Sequence, residues 1–467
     1  VSVNKNTAEV ELGGQITATE GDITASTELT QNMDGVYRGK YGALAIAGSV
    51  SGSGGKAGVA GSVAVTAAQG ESSVTVIDGS VLNAALGDIK MEAADKSKLS
   101  AAALAAVLSK GTTVGVGAAF ALLYAENKVL VIVGDDVKVT ARSFSMNAEK
   151  KPVTIKDWAS PFEAGDLFSV DAEAGEEGII NVTTSGEGQD KFSVTMNVEA
   201  DDLVNMAQLT SFLGSVNYYA SAAAGTIVGK EGGDSQLALA GSVAMLFASS
   251  ETAAIIGDRA IIILTDGDLD IIAASDNNAR LIGGALSVSS AKAGIGLNVA
   301  VITDNDTVTA AIGTDGEITV DGAVKVKARS DMDLWAITVA AAIKTAGGSG
   351  SGATIGGGVT VIVSENEVLA MIGDRTIAEA AGDVDITAVN DAYLLLVSDS
   401  VAADGSGGGG VAGGGTVAVI VTGNKAKALS GNNAEIISGG EVNISAENRE
   451  KLISILASAS GASGSGK

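Results

Sequence analysis

Residues 357–388 read GGVTVIVSENEVLAMIGDRTIAEAAGDVDITA. Three phrases follow one another in this stretch. Gly357-Gly358-Val359-Thr360-Val361-Ile362 is small residues running into an alternation. Ile372-Gly373-Asp374 is an apolar residue, a glycine and an acid. Gly382-Asp383-Val384-Asp385-Ile386-Thr387-Ala388 is glycine and acid, then alternation ending in alanine. Working outward, each phrase recurs. The first returns as Ala60-Gly61-Ser62-Val63-Ala64-Val65, Ala240-Gly241-Ser242-Val243-Ala244-Met245 and Gly414-Gly415-Thr416-Val417-Ala418-Val419. The second returns as Val133-Gly134-Asp135 and Ile256-Gly257-Asp258, with Ile312-Gly313-Thr314 and Ile77-Asp78-Gly79 as variants. The third begins at Gly21, Gly87, Gly267, Gly322 and Gly440; from 267 onward the spacings are 55, 60 and 58 residues.

Self-similarity at such a period marks an architecture in which each unit buries its apolar face against the next. Six near-complete units fit, at about 41–99, 100–152, 207–279, 280–333, 334–393 and 394–451. Ser100–Lys110 (SAAALAAVLSK) is helical by propensity, but its counterparts at 334–346, 394–405 and 452–461 are β-branched, Ser-rich or Gly-interrupted. One fold for all copies requires strand. Stretches such as Lys128–Val133 (KVLVIV) alternate with period two, and Gly, Asn and Asp punctuate the chain every 8–12 residues or so, as turns would.

Composition agrees. Glycine is 63 of 467 residues, about 13%, against a usual ~7%. Apolar residues make up 46% but aromatics only 3%, and there are two prolines. Small apolar side chains suit a narrow interior, and a proline inside a ladder deletes a hydrogen bond. The expected fold is all-β: an elongated, right-handed parallel β-helix (β-solenoid) of repeats of about 55–60 residues with one irregular insertion. At 18–20 residues per coil each unit would hold about three coils, giving a rod of roughly 20–25 coils and on the order of 100 Å. Stacked hairpins or sandwich modules, with turns such as Ser53-Gly54-Gly55-Lys56, are the alternative.

The expected organisation is solenoid over 1–152, an insertion or degenerate repeat over 153–206, and solenoid over 207–467. The middle segment breaks the period. It holds Trp158, Pro161, Phe162, Phe168 and Phe192, the acids Glu173, Glu176, Glu177, Glu187 and Asp190, a strand-like alternation over Phe192–Val198, and a short capped helix expected from Asp201-Asp202 to Gly214. It reads either as a repeat with a long side loop or as a protrusion carrying a recognition surface. The chain opens on Val1, mid-unit, and closes on Lys467, a third of the way into one. A window on a longer array, or subunits stacking head to tail, is expected.

Function classes narrow by absence. There is no cysteine and no histidine, which excludes disulfides, thiol nucleophiles, cysteine zinc sites, Ser-His-Asp triads and imidazole shuttles. The net charge of −26 repels nucleic acid and anionic lipid. Residues 101–125 approach a spanning length, but Lys110-Gly111-Thr112-Thr113 interrupts them. No catalytic, cofactor-binding or metal residues are assigned. The weak exception is Ca²⁺ at two Asp-rich turns, Asp266-Gly267-Asp268 with Asp270, and Asp304-Asn305-Asp306. Gly347–Gly352, Gly407–Gly410 and Gly413–Gly415 read as repeat punctuation, not phosphate loops, and Trp335 as packing. Acidic residues lie mostly on outward strand positions, so paired carboxylates for glycoside hydrolysis have no separate signal.

The phrases AGSVAV, then apolar-Gly-Asp, then Gly-Asp-x-x-Ile-x-Ala resemble repeats of giant exported bacterial adhesins, the filamentous-haemagglutinin-like and leukotoxin-like filamentous adhesins of anaerobes. The resemblance covers almost the whole chain except 153–206. It implies a parallel β-helical stalk at the cell surface, used in attachment. The expected function is therefore non-enzymatic, extracellular and adhesive or structural. Its alternatives are a filament subunit and, last, a β-helical carbohydrate-active enzyme. The expected partners are other copies, met end to end, and an unknown surface ligand, with no nucleic acid and no membrane insertion.

Overall fold

The computed structural model describes residues 1–33, 43–51, 57–110, 114–152, 181–184, 192–195, 216–229, 237–289, 293–344, 352–404 and 410–462. These are almost entirely strand, with no helix among them. The turn at Ser53–Lys56, the breaks at 111–113, 347–351 and 407–409, and the expected helix over 201–214 lie outside the described residues, as do Trp158, Pro161, Phe162, Phe168 and the acids between 173 and 190.

Three parallel sheets carry the fold. The first stacks β1 (Ser2–Leu12), β5 (Ala57–Val76), β8 (Val114–Val133), β14 (Leu237–Ile256), β17 (Ala293–Ile312), β20 (Ala353–Ile372) and the consecutive β23 (Val411–Thr422) and β24 (Lys425–Ser430). The second is short: β2 (Gln15–Thr17), β6 (Val81–Ala84), β9 (Lys138–Ala141), β15 (Ile261–Leu264), β18 (Glu317–Val320), β21 (Ile377–Ala380) and β25 (Glu435–Ser438). The third holds β3 (Ile23–Met33) with β4 (Ala43–Ser51), β7 (Ile89–Lys110), β10 (Phe144–Lys150) with β13 (Tyr218–Gly229), β16 (Leu269–Ser289), β19 (Val324–Lys344), β22 (Val384–Asp404) and β26 (Val442–Ala462). The chain visits the sheets in that order seven times, and each visit adds one strand, or two consecutive pieces of one, in register with the last, an arrangement consistent with a β-helix.

Each circuit, here called a rung, is one repeat unit. This corrects the expected three coils per unit. Seven rungs at ~4.8 Å rise only ~30 Å, not ~100 Å. The error lay in taking polar residues as turns. Asp304-Asn305-Asp306, Ser364-Glu365-Asn366 and Gly413–Gly415 sit inside 12- to 20-residue strands, at alternating inward and outward positions. Ser100–Lys110 is likewise strand, the second half of β7. The hairpin alternative fails as well: the pairs of the three large sheets are all parallel.

Real turns are where the phrases with glycine and acid fall. Apolar-Gly-Asp leads from the first sheet to the second, and Gly-Asp leads from the second to the third. In the first of these, one position has positive φ in six successive rungs: Gly79 (70°), Asp136 (58°), Arg259 (55°), Asp315 (57°), Arg375 (56°) and Asn433 (56°). Two residues before it the glycines stack, and a Cβ on Gly313 would come 2.6 Å from the backbone of Gly257. At a ~4.8 Å rung spacing a side chain there would meet the neighbouring backbone, and glycine fills the position in the five rungs from Gly134 to Gly431, with Ile77 in the rung before them. The acids form a ladder. The Asp135, Asp258 and Thr314 amides donate to the carboxylates of Asp78, Asp135 and Asp258 one rung away, at 2.9, 2.9 and 2.7 Å. At the other turn Ala323 and Glu441 donate to Asp268 and Asp383, both at 2.8 Å.

Inward side chains make two apolar cores. One lies among all three sheets and is mostly Val, Ile, Leu and Met, such as Val131, Ile262 and Ile386, with alanines between them. The other lies between the first and third sheets alone and is mostly alanine, as at Ala121, Ala220, Ala244 and Ala336. A two-sheet space lined by alanine is thin, which is why the composition is rich in small residues and poor in rings.

Residues 153–216 form a separate compact unit, containing the antiparallel pair β11 (Asn181–Thr184) and β12 (Phe192–Thr195). The chain leaves the third sheet after Lys150 and re-enters it at Tyr218, and β7 and β16 pair with the pieces on both sides of the departure. The unit is thus spliced into a single strand and is not a rung of the stack. Tyr218–Gly229, within the repeat expected at 207–279, complete the interrupted strand.

Candidate functional site

The bent strands of the first and third sheets place a polar band between the two cores. Parity dictates it: in strands whose inward positions are mostly apolar or hydroxyl-bearing, Asp95, Lys150, Asn277, Asp304 and Asp306 take inward positions and are buried. Tyr218, where the third sheet resumes, is fully buried beside them. Asp306 accepts from the hydroxyls of Ser250 and Ser330, the latter at 2.8 Å. Asp304 accepts from Asn277 at 2.5 Å, Asp95 from Ser97, and the Tyr218 hydroxyl from Asn127 at 3.2 Å. Lys150 Nζ stands 5.1 Å from the centre of the Tyr218 ring. The second oxygens of Asp95 and Asp304 hydrogen-bond no described protein atom.

Burial sets the protonation here. It pushes the Asp304 carboxyl up to about 7, with neighbouring Asp306 adding to the effect, and the Asp95 carboxyl up to about 6. It pushes the Tyr218 phenol up to about 12, so Tyr218 is neutral near pH 7. Burial alone would lower Lys150, but Tyr218, Asp306 and Asp304 outweigh it and hold the ammonium above its ordinary value. With Tyr218 neutral, the two aspartates are the charges that matter. The band therefore sets the Lys150 ammonium beside buried carboxyls, of which Asp304 and Asp95 are held toward their protonated forms. These groups are buried from solvent. Sequence reading missed it, although the signal was present: charged residues two apart on the inward parity of apolar strands.

The Asp-rich positions separate. Asp268 receives the Ala323 amide and Lys325 (2.6 Å), and Lys325 also reaches Asp270 at 3.3 Å. Asp304 and Asp306 are not a turn but buried mid-strand. Among the described residues no group of three or more acids could hold a metal ion.

One open groove, of about 400 Å³, lies on the outer side of the third sheet, lined by Asp331, Asp333, Asp391, Tyr393, Arg449 and Glu450 among others. A chain of stacked groups runs beside it and reaches it at Tyr393 and Lys451. Arg280 sits 4.6 Å from the Trp335 ring and Trp335 is 6.1 Å from Tyr393, which lies 5.3 Å from Lys451. Trp335 is thus half-buried on an outward ladder. Most of these acids are engaged: Arg329 holds Asp331 at 2.6 Å, Arg280 and the Trp335 indole hold Asp333, and Arg449 holds Asp391 at 3.0 Å. Asp276, beside Asp331, is pushed up to about 6 by burial and then by that neighbour. The arrangement can hold a polar ring against aromatic faces; its carboxylates are already tied to cations.

Compared with models of known protein families, with curated proteins and with solved structures, the chain matches none.

Proposed function

We propose that the chain is a right-handed β-solenoid segment of an extracellular bacterial adhesin stalk, a load-carrying spacer without enzymatic activity. The observation that supports this reading is the continuity of three parallel ladders through seven rungs. Each rung is joined to the next along the stacking direction by many backbone hydrogen bonds at once. The net charge of −26 keeps it soluble and away from nucleic acid and anionic lipid. Antibody against the purified chain should label intact cells and reduce their attachment. Labelling only after lysis refutes the reading.

A second reading is end-to-end assembly. The outermost described strands, β1 to β4 on one side and β23 to β26 on the other, each have a partner on one edge only, and such edges template further pairing. Electron microscopy combined with intact mass tests it: regular fibres built from a 45.8 kDa polypeptide support it, and single short particles count against it. The groove beside Trp335 and Tyr393 favours, third, contact with a carbohydrate. Glycan binding lost in Tyr393→Ala supports it, and hydrolysis of a bound glycan would return the carbohydrate-active enzyme to consideration.

A further inference from the structure

The long strands of the first sheet are divided. The second half is polar outward: β8, β14 and β20 show charged groups such as Glu126, Lys128, Glu251 and Glu367, and β17 shows Asn305, Thr307 and Thr309. The first half is not. From β5 to β20, five strands present six outward positions each over their first eleven residues, and none carries a charge. Val59 is 64% exposed, Val63 58%, Leu297 50% and Ile355 48%. At ~3.3 Å per residue and ~4.8 Å per strand this face covers on the order of 900 Å². The largest apolar patch on a typical monomer is ~300–600 Å², and a standard interface takes ~800 Å² from each partner.

We propose that this face is covered by the same face of a second copy, side by side. The relief points to it. Stacked valines and Phe120 form a ridge (Val63, Phe120, Val243, Val299, Val359). Two residues earlier Gly61, Ala118 and Gly241 form a furrow of about 400 Å³, closed at one end by Leu297. Ridge and furrow flank the inward Ser242 symmetrically. A two-fold axis parallel to the stacking direction and opposite Ser242 places Val243 against the partner's Gly241. It places Leu239 against the partner's Met245, and Leu237 against the partner's Phe247. Both faces have the same rung spacing, so the match repeats at every rung, with Leu297 meeting the partner's Val299 as the closest point. A bilayer suits the face less well. The first residues of β5, ahead of the pairing of Ser2 with Thr66, would carry unpaired backbone into hydrocarbon.

The test is sedimentation velocity of the full chain. The expected mass is twice 45.8 kDa, falling to 45.8 kDa in Val243→Asp with strand signal and melting unchanged, and remaining doubled in Glu251→Gln on the charged half of the same strand. A dimer formed end to end would ignore Val243→Asp. The chain has no cysteine, and a Cβ at 241 meets nothing within 4 Å. Oxidation of a mixture of Gly241→Cys and Val243→Cys should therefore give a covalent dimer that neither variant gives alone. A monomeric chain, an undisturbed dimer in Val243→Asp, or monomers floating with phosphatidylcholine vesicles each overturn the proposal.

Discussion

Asp304→Asn should stabilise the protein near neutral pH and do nothing at pH 4. Asp304 is fully buried, and its carboxyl rises from 3.8 to about 7 in the folded chain. The folded state therefore holds a proton that the unfolded state releases between those values. Stability from this group is complete below pH 4 and is lost as pH climbs toward 7. The shift from 3.8 to about 7 corresponds to about 4 kcal/mol at pH 7.5, an upper figure because Asp304 and Asp306 share the charge of Lys150. Asparagine keeps the oxygen that accepts from Asn277 and removes the titration. In urea, with a slope of roughly 4–6 kcal/mol per M for a chain this long, the variant's midpoint should exceed wild type by about 0.7–1 M at pH 7.5 and coincide with it at pH 4. General charge repulsion also relaxes on acidification, but equally in both proteins, so the difference between the two profiles isolates the site. Parallel profiles, or a variant weaker than wild type at pH 7.5, refute the reasoning.

Gly313→Ala, whose Cβ would come 2.6 Å from the Gly257 backbone, should cost at least about 2 kcal/mol in thermal or urea unfolding, while Gly241→Ala, with nothing within 4 Å, should stay within about 0.5 kcal/mol. Replacing residues 151–217 by a three-residue linker should leave the strand signal and melting of the remainder intact, because β7 and β16 bridge the same departure with three residues, 96–98 and 276–278. Calcium titration should leave the melting temperature unmoved, since Lys325 and the Ala323 amide already hold Asp268; a rise would reopen a metal role.

The repeat was legible because stacking imposes identical demands at equivalent positions. Gly257, Gly313 and Gly373 recur since each lies on the backbone below, and Asp135 and Asp258 recur since each carboxylate receives the next rung's amide. Strand over helix at Ser100–Lys110 was legible for the same reason, from the copies. The coil length was not. A polar residue mid-strand looks in sequence like a turn, and only the partner strand reveals that Asp306 faces Ser330 across an interior. Arg259 and Arg375 at positive φ were hidden too. They are tolerated there because each guanidinium pairs with an acid one rung away, Asp136 at 2.8 Å and Asp315 at 2.6 Å. That the insertion interrupts a single strand was hidden by arithmetic, its length being close to that of one repeat.

The polar band explains how a sequence this repetitive keeps its register. A slip of one residue turns every inward side chain outward and is forbidden by both cores. A slip of two residues preserves the alternation and, in a strand of Ala, Val and Ile, would cost little. It is the band that forbids it. Shifting β17 by two against β14 and β16 would draw Asp304 or Asp306 into an apolar core and part Asp306 from Ser250 and Ser330. An unpaired buried carboxylate costs several kcal/mol, more than any exchange of alanine for valine nearby. The charged interior is thus a price in stability at neutral pH that selects one alignment among otherwise similar ones, and it stands where the two cores meet because only there does every long strand supply an inward position to both.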